Sequence, residues 1–256
     1  MTPTIISFSK VNPNIAPDYR VVLPRFLRAC RKPRVHQPKL GRGGYEPVSK
    51  ETNWKYAEDI VTEPAVIASA RAHAIELGVE SVSPGIGAQL AVLAGTSAAQ
   101  SIVEIGTGLG VSGLWMFAGA PGATLTSIDT EVDRQQSARA AFLEAGVAVN
   151  RIRLITGRAR DVLPRMNENS YDLVLVDGDP ESVIEYVEHG LRLVRVGGTV
   201  LVPHALWRDR VADPVQRDET VTDFRTLINE LSGSTAVITA LSPIGDGLLQ
   251  VTKIVG

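Results

Sequence analysis

An α/β fold with helices on both faces of a mostly parallel sheet is predicted by three features of the sequence. Apolar β-branched runs alternate with helical stretches from Ser101 onward. A glycine-dense turn follows the first of those runs, and the chain closes on two strand-like segments joined by a short loop. The architecture that follows is Rossmann-like, with seven strands of which the last is reversed, and an N-terminal helical cap.

Residues 45–100 read as the cap. Glu51 to Ile60 and Pro64 to Leu77 form two helices, with Pro64 at a first-turn position that tolerates its missing N–H. Val66, Ala70, His73 and Leu77 share one face of the second, so His73 is expected to pack rather than to bind a ligand. Glu80 to Gly85 is a loop, and Ile86 to Ala94 a third helix. Residues 101–256 then read as the core. Ser101 to Ile105 is a buried parallel strand. Helix Val132 to Ala145 is closed by Gly146, and Arg151 to Thr156 is a strand. A short helix, Arg160 to Met166, leads to strand Tyr171 to Val176. Helix Glu181 to Val194, a turn at Arg195 to Gly198 and strand Thr199 to Val202 complete the repeats. Asp218 to Leu231 is a helix with Val221, Phe224, Leu227, Ile228 and Leu231 on one side. Strands Thr235 to Leu241 and Leu248 to Val255 form an antiparallel hairpin.

Charge is uneven along the 256 residues. Residues 1–44 carry nine basic side chains, one acid and six prolines, whereas the rest holds 17 basic and 27 acidic residues. Residues 1–44 are therefore expected to be a basic, Pro-rich, flexible extension ending at Gly41-Arg-Gly-Gly44. Its arginines could contact nucleic acid, but aromatic interleaving is almost absent, which argues against that partner. A single cysteine, Cys30, excludes an internal disulfide framework. No apolar run approaches the roughly 20 residues that span a bilayer, so a soluble cytoplasmic protein is the expectation.

The chemistry centres on Glu104-Ile-Gly-Thr-Gly-Leu-Gly110. Glycines at every second position let the backbone turn tightly and approach a ligand. Ser112 opens the helix that follows, whose free N–H groups face the turn. Glu104, near the strand end, would repel a diphosphate and suit a cation, while Asp129 ends the next strand where ribose hydroxyls are commonly held. S-adenosylmethionine offers both an ammonium with a sulfonium and a ribose. Gly108-Leu-Gly-Val-Ser-Gly113 also matches the G-x-G-x-x-G pattern of nicotinamide enzymes, so that alternative stands. A dehydrogenase, however, would need a further parallel strand and a catalytic domain, and no chain remains for them.

Together with Ile128-Asp129, Gly157-Arg-Ala159, Tyr171 to Asp177 and Leu191 to Gly198, that turn resembles the class I S-adenosylmethionine-dependent O-methyltransferases, of the catechol and caffeoyl-CoA type. Trp207 to Pro214 and Gly245-Asp-Gly-Leu-Leu249 are similar to the segments that follow the fifth strand and close the sheet in that family. The resemblance implies that Val82 lines the donor site and that Glu104, Gly106, Thr107, Gly108 and Ser112 hold the methionine end. It implies Asp129 and Thr130 at the ribose, Arg158 and Ala159 at the adenine, and Asp177 and Asp179 near the sulfonium and the acceptor. A hydroxylated small molecule would accept the methyl group, and a homodimer is implied because members often pair.

The sequence departs from the family at the chemistry. Usual members hold a divalent cation through an Asp, matched by Asp177, and an Asp-Asn pair, replaced here by Pro203-His204. The family's lysine is replaced by Pro180. One carboxylate and one imidazole make a poor Mg²⁺ site. His204 is then the candidate base, with Asp177 orienting it or binding the acceptor hydroxyl. The other reading is an idle binding protein that keeps the donor site without the chemistry.

Overall fold

The computed structural model describes residues 48–255, and the expectations for residues 1–44, including Cys30, lie outside the described residues. Three helices come first: α1 (Lys50–Asp59), α2 (Ala65–Glu76) and α3 (Pro84–Thr96). The core follows as β1 (Ser101–Ile105), α4 (Val111–Gly119), β2 (Thr124–Asp129), α5 (Val132–Glu144), β3 (Ile152–Thr156) and α6 (Ala159–Val162). It ends with β4 (Tyr171–Val176), α7 (Val183–Leu193), β5 (Val194–Pro203), α8 (Glu219–Gly233), β6 (Val237–Ser242) and β7 (Leu248–Lys253).

The strands lie in the order β3-β2-β1-β4-β5-β7-β6, and β7 runs antiparallel to both its neighbours. The chain winds outward from β1 in one direction and from β4 in the other. The crevice at the carboxyl ends of these two strands is therefore the topological switch point, where such sheets bind ligands.

Side-chain alternation divides the core. Ile102, Leu125, Leu173, Leu175 and Leu201 pack against α2 to α5. Val103, Ile105, Val174, Val176, Val200 and Val202 pack on the opposite face with α7 and α8. Parity places Glu104 on the first face, with Ile102, and the parallel register sets it opposite Ser127. The N-termini of α3 and α8 are capped by Ser83 and Asp218, whose side chains accept from the N–H groups of Ile86 and Val221.

Four expectations are corrected. The buried face of α2 is Ile67, Ala70 and Ala74, and His73 and Leu77 are exposed. Alanines around most of this helix leave its apolar periodicity weak, so packing against α4 and α5 chooses the face. The third helix begins at Pro84, because Ser83 caps it there. The short helix after β3 spans only Ala159–Val162 before tightening to a 3-10 turn at Leu163–Arg165, where Pro164 cannot continue the hydrogen-bond pattern. The turn at Arg195 to Gly198 lies inside β5 as a bulge, where the pairing jumps from Tyr171↔Val194 to Leu173↔Thr199 and Gly197 takes φ +80°.

Candidate active site

A cavity of about 590 Å³ opens at the switch point, within the 300–1,000 Å³ usual for small-molecule sites. Every sequence-predicted site residue except Glu104 lines it: Val82, Gly106, Thr107, Gly108, Ser112, Asp129, Thr130, Arg158, Ala159, Asp177, Asp179 and His204.

The glycine turn forms the floor. Gly106 has φ +92°, and a Cβ there would stand 2.0 Å from the carbonyl oxygen of Asp177, so the two strand ends can approach only because residue 106 has no side chain. Gly108 has φ +48°, and a Cβ would meet only Val79 Cγ1, at 3.8 Å. The space before it is the cavity. The Gly108 N–H donates to Asp129 Oδ2 at 3.0 Å, and the Glu131 N–H to Asp129 Oδ1 at 2.9 Å. Asp129 is thus oriented by backbone on both oxygens, and each retains a lone pair for a ligand hydroxyl.

Glu104 corrects the electrostatic expectation. It is fully buried behind the cavity wall, accepting from Ser112 Oγ at 2.6 Å and Ser127 Oγ at 2.5 Å. Burial pushes its carboxyl up to about 8, despite those two hydrogen bonds, and Asp177 and Asp129 add to the rise. That rise favours the protonated carboxyl at neutral pH. It supports the floor through Ser112 and leaves the exposed negative charge to Asp129 and Asp177. The network extends outward: Thr107 and Ser127 hydroxyls lie 2.7 Å apart, and Gln135 donates to Thr107 Oγ1 and the Ile155 carbonyl.

At the other end, Asp177 follows β4 and His204 follows β5. His204 Nε2 is 3.7 Å from Asp177 Oδ1. Burial pushes the Asp177 carboxyl up to about 6, with Glu80 contributing in the same direction and His204 opposing it. A fifth of the Asp177 side chain still faces the cavity. Asp179 caps the next turn, accepting from the Glu181 N–H and the Ser182 hydroxyl.

Sequence reasoning missed several lining residues: Glu80, Arg134, Arg160, Tyr186 and Trp207. Trp207 stacks on Phe224 with centroids 5.5 Å apart, and Arg208 lies over its ring. Arg71 also went unnoticed. It pairs with Glu63 and donates to the Val82 carbonyl at 2.6 Å, holding the cap loop against the cavity. Only Glu80 and Trp207 could have been signalled by a place in predicted loops, because Arg71, Arg134, Arg160 and Tyr186 lie on helices.

The glycine cradle, the oriented Asp129 and the cavity volume fit a nucleoside with a compact cationic tail. The donor set does not fit Mg²⁺. Pro203 offers no side-chain ligand atom, the residue beside it supplies the imidazole of His204, 3.7 Å from Asp177, and hard cations prefer oxygen to imidazole. Among the described residues no group of three or more His, Cys, Asp and Glu is arranged to hold a metal ion.

The comparisons with known proteins agree with this geometry. The family model described as O-methyltransferase matches residues 61–254. A protein of Mycobacterium sp. (strain JLS) named "Putative O-methyltransferase" is 41% identical over 211 residues, covering 82% of this chain and 96% of its own. A solved protein of Corynebacterium glutamicum superposes with a TM-score of 0.74 at 30% identity, covering 80% of this chain and 97% of its own. The O-methyltransferase TomG of Streptomyces achromogenes, involved in tomaymycin synthesis and solved in complex with S-adenosylmethionine, gives a TM-score of 0.69 at 28% identity, covering 81% of this chain and 100% of its own. The chain belongs to the O-methyltransferase family.

Proposed function

We propose that this methyltransferase transfers a methyl group from S-adenosylmethionine to a hydroxyl of a small-molecule acceptor, with His204 as base and no divalent cation. The observation that carries the reading is the position of His204 beside Asp177 at the cavity, at the strand ends where usual family members hold metal. S-adenosylmethionine, when bound, supplies a methyl group on a positively charged sulfur. Val82, Gly106, Thr107, Gly108 and Ser112 would hold its amino-acid end, Asp129 and Thr130 the ribose, and Arg158 and Ala159 the adenine. Glu104 braces that floor from behind.

His204 takes the acceptor hydroxyl's proton on the ring nitrogen that faces the cavity, leaving an oxyanion as nucleophile. Asp177 then stands beside the imidazolium as its counter-charge. Asp179 is placed to accept from a second acceptor hydroxyl. Holding acceptor and donor in one closed crevice supplies much of the remaining acceleration. Asp177 serves as counter-charge only when ionised, so turnover should fall as pH drops through about 6. Among the described residues no helix is long and apolar enough to cross a membrane, which suits an acceptor met in solution.

The test is calorimetry with S-adenosylhomocysteine, followed by methylation of a panel of catechols, flavonoids and acyl-CoA phenols with chelator present. Binding in the micromolar range and chelator-resistant turnover are expected. His204→Ala should lower turnover by roughly 10²-fold or more while leaving product affinity within about twofold. Binding without methylation of any panel member would favour an idle binding protein instead. No binding at tens of micromolar would remove the donor assignment.

A further inference from the structure

Asp246, in the loop between β6 and β7, stands on the far side of the His204 ring from Asp177. His204 Nδ1 lies 3.5 Å from Asp246 Oδ2, so each ring nitrogen faces one carboxylate. For a neutral ring that spacing is a long hydrogen-bond approach, of the kind that tightens in the reacting complex.

Both oxygens of Asp246 are assigned. Oδ1 accepts from the Arg208 N–H at 2.6 Å, which leaves Oδ2 for the imidazole. The loop is stitched to the histidine's own segment by Ala205 N–H to the Gly247 carbonyl at 3.1 Å and Leu206 N–H to the Asp246 carbonyl at 2.9 Å. Gly247 has φ +86°, and a Cβ there would strike Leu206 Cγ at 2.6 Å, so the loop seats closely only with glycine. His204 itself has φ +56°, an uncommon conformation for a residue with a side chain, and these contacts over-determine it. Other charged groups near this end of the cavity are Glu80 and Asp179, with Arg208 turned onto Glu80 at 3.4 Å.

We infer that Asp246 is a positioning residue that holds the proton of neutral His204 on Nδ1, leaving the Nε2 lone pair at the cavity beside Asp177. This deepens the reading of His204 as base and rests on it. The arrangement has the logic of a base oriented by a carboxylate on its second nitrogen. Asp246 touches no acceptor atom in this account. It decides which nitrogen is available.

The experiment is long-range proton–nitrogen NMR on the full chain labelled with ¹⁵N-histidine, with His204→Ala assigning the signal. With the ring neutral, His204 should show protonated Nδ1 and bare Nε2. Asp246→Asn, whose amide oxygen still accepts from Arg208 N–H and whose NH2 then faces Nδ1, should shift the ring toward the Nε2-protonated tautomer. Should Asp246→Asn fail to fold, Asp246→Ser removes the charge and keeps an acceptor. In the methylation assay Asp246→Asn should lower kcat roughly tenfold, with KM for S-adenosylmethionine unchanged and no further loss when added to His204→Ala. Nε2 protonated in the parent chain, a signature unmoved by Asp246→Asn, or additive losses in the double variant would each overturn the inference. Full turnover by His204→Ala would instead sink the base assignment, and the NMR result would still decide the Asp246 contact.

Discussion

The two ends of the cavity are built differently. The proposed donor end, Gly106 to Gly110 with Asp129, is a local turn between adjacent strands, and its hydrogen bonds join residues about twenty apart, such as Gly108 to Asp129. The proposed acceptor end is assembled from distant pieces. Asp177, His204 and Asp246 come from three separate loops, and Arg208 reaches Glu80 across 128 positions. A local turn can be specified by a short motif. A long-range cluster depends on how whole elements pack, and can be rebuilt for another acceptor while the donor end stays intact.

Substitutions at both ends test that contrast. The largest effect is expected from Gly106→Ala, which drives a Cβ into the Asp177 carbonyl oxygen at 2.0 Å. That collision is with backbone and should cost on the order of 4 kcal/mol or more, read as lost soluble protein or a collapsed melting temperature. Gly108→Ala meets open space and should fold with a penalty of about 1 kcal/mol while losing donor affinity. Equal behaviour of the two variants would show that the turn tolerates side chains throughout.

Asp129→Ala comes next. It removes the acceptor of two backbone N–H groups and of the proposed ribose, so S-adenosylhomocysteine affinity should fall about 10- to 100-fold by calorimetry. An unchanged affinity would move the ribose away from the end of β2.

Glu104→Gln tests the buried acid. Its folded value of about 8 lies above the ordinary 4.5, so its contribution to stability is complete below about 4.5 and is lost as pH rises through about 8. The variant should therefore melt higher than the parent near pH 8.5, by on the order of 10 °C, with the difference vanishing toward pH 5. Parallel melting curves would mean that Glu104 keeps its charge in the fold.

The smallest effect belongs to Arg208→Ala. Arg208 and Glu80 expose about two thirds of their side chains, so the pair is screened and its loss should move the melting temperature by less than about 1 °C. A larger drop would show that this pair ties the cap loop to the acceptor loop.

Much of the donor end was legible before the structure. Gly106, Gly108 and Asp129 lie where a strand–turn–helix–strand reading puts them, because backbone conformation is set by neighbours in sequence. Glu104 was legible as an acid but not as a protonated one. Its state follows from strand parity, which turns it inward against Ser112 and Ser127. His204 could be proposed from its place at the end of β5. Asp246 could not, although its Gly-Asp-Gly setting was visible, because its contact with His204 depends on where the closing hairpin folds back.

The alternation of strands and helices, the reversed final strand and the glycine cradle are written in the sequence. Each rests on local periodicity or on the steric freedom of one residue. Which face α2 buries, that Glu104 stands behind the cavity and that His204 is flanked by two carboxylates emerge only in the packed fold. Those outcomes are settled by long-range packing and by the loss of water around charged groups, which no short window of sequence contains.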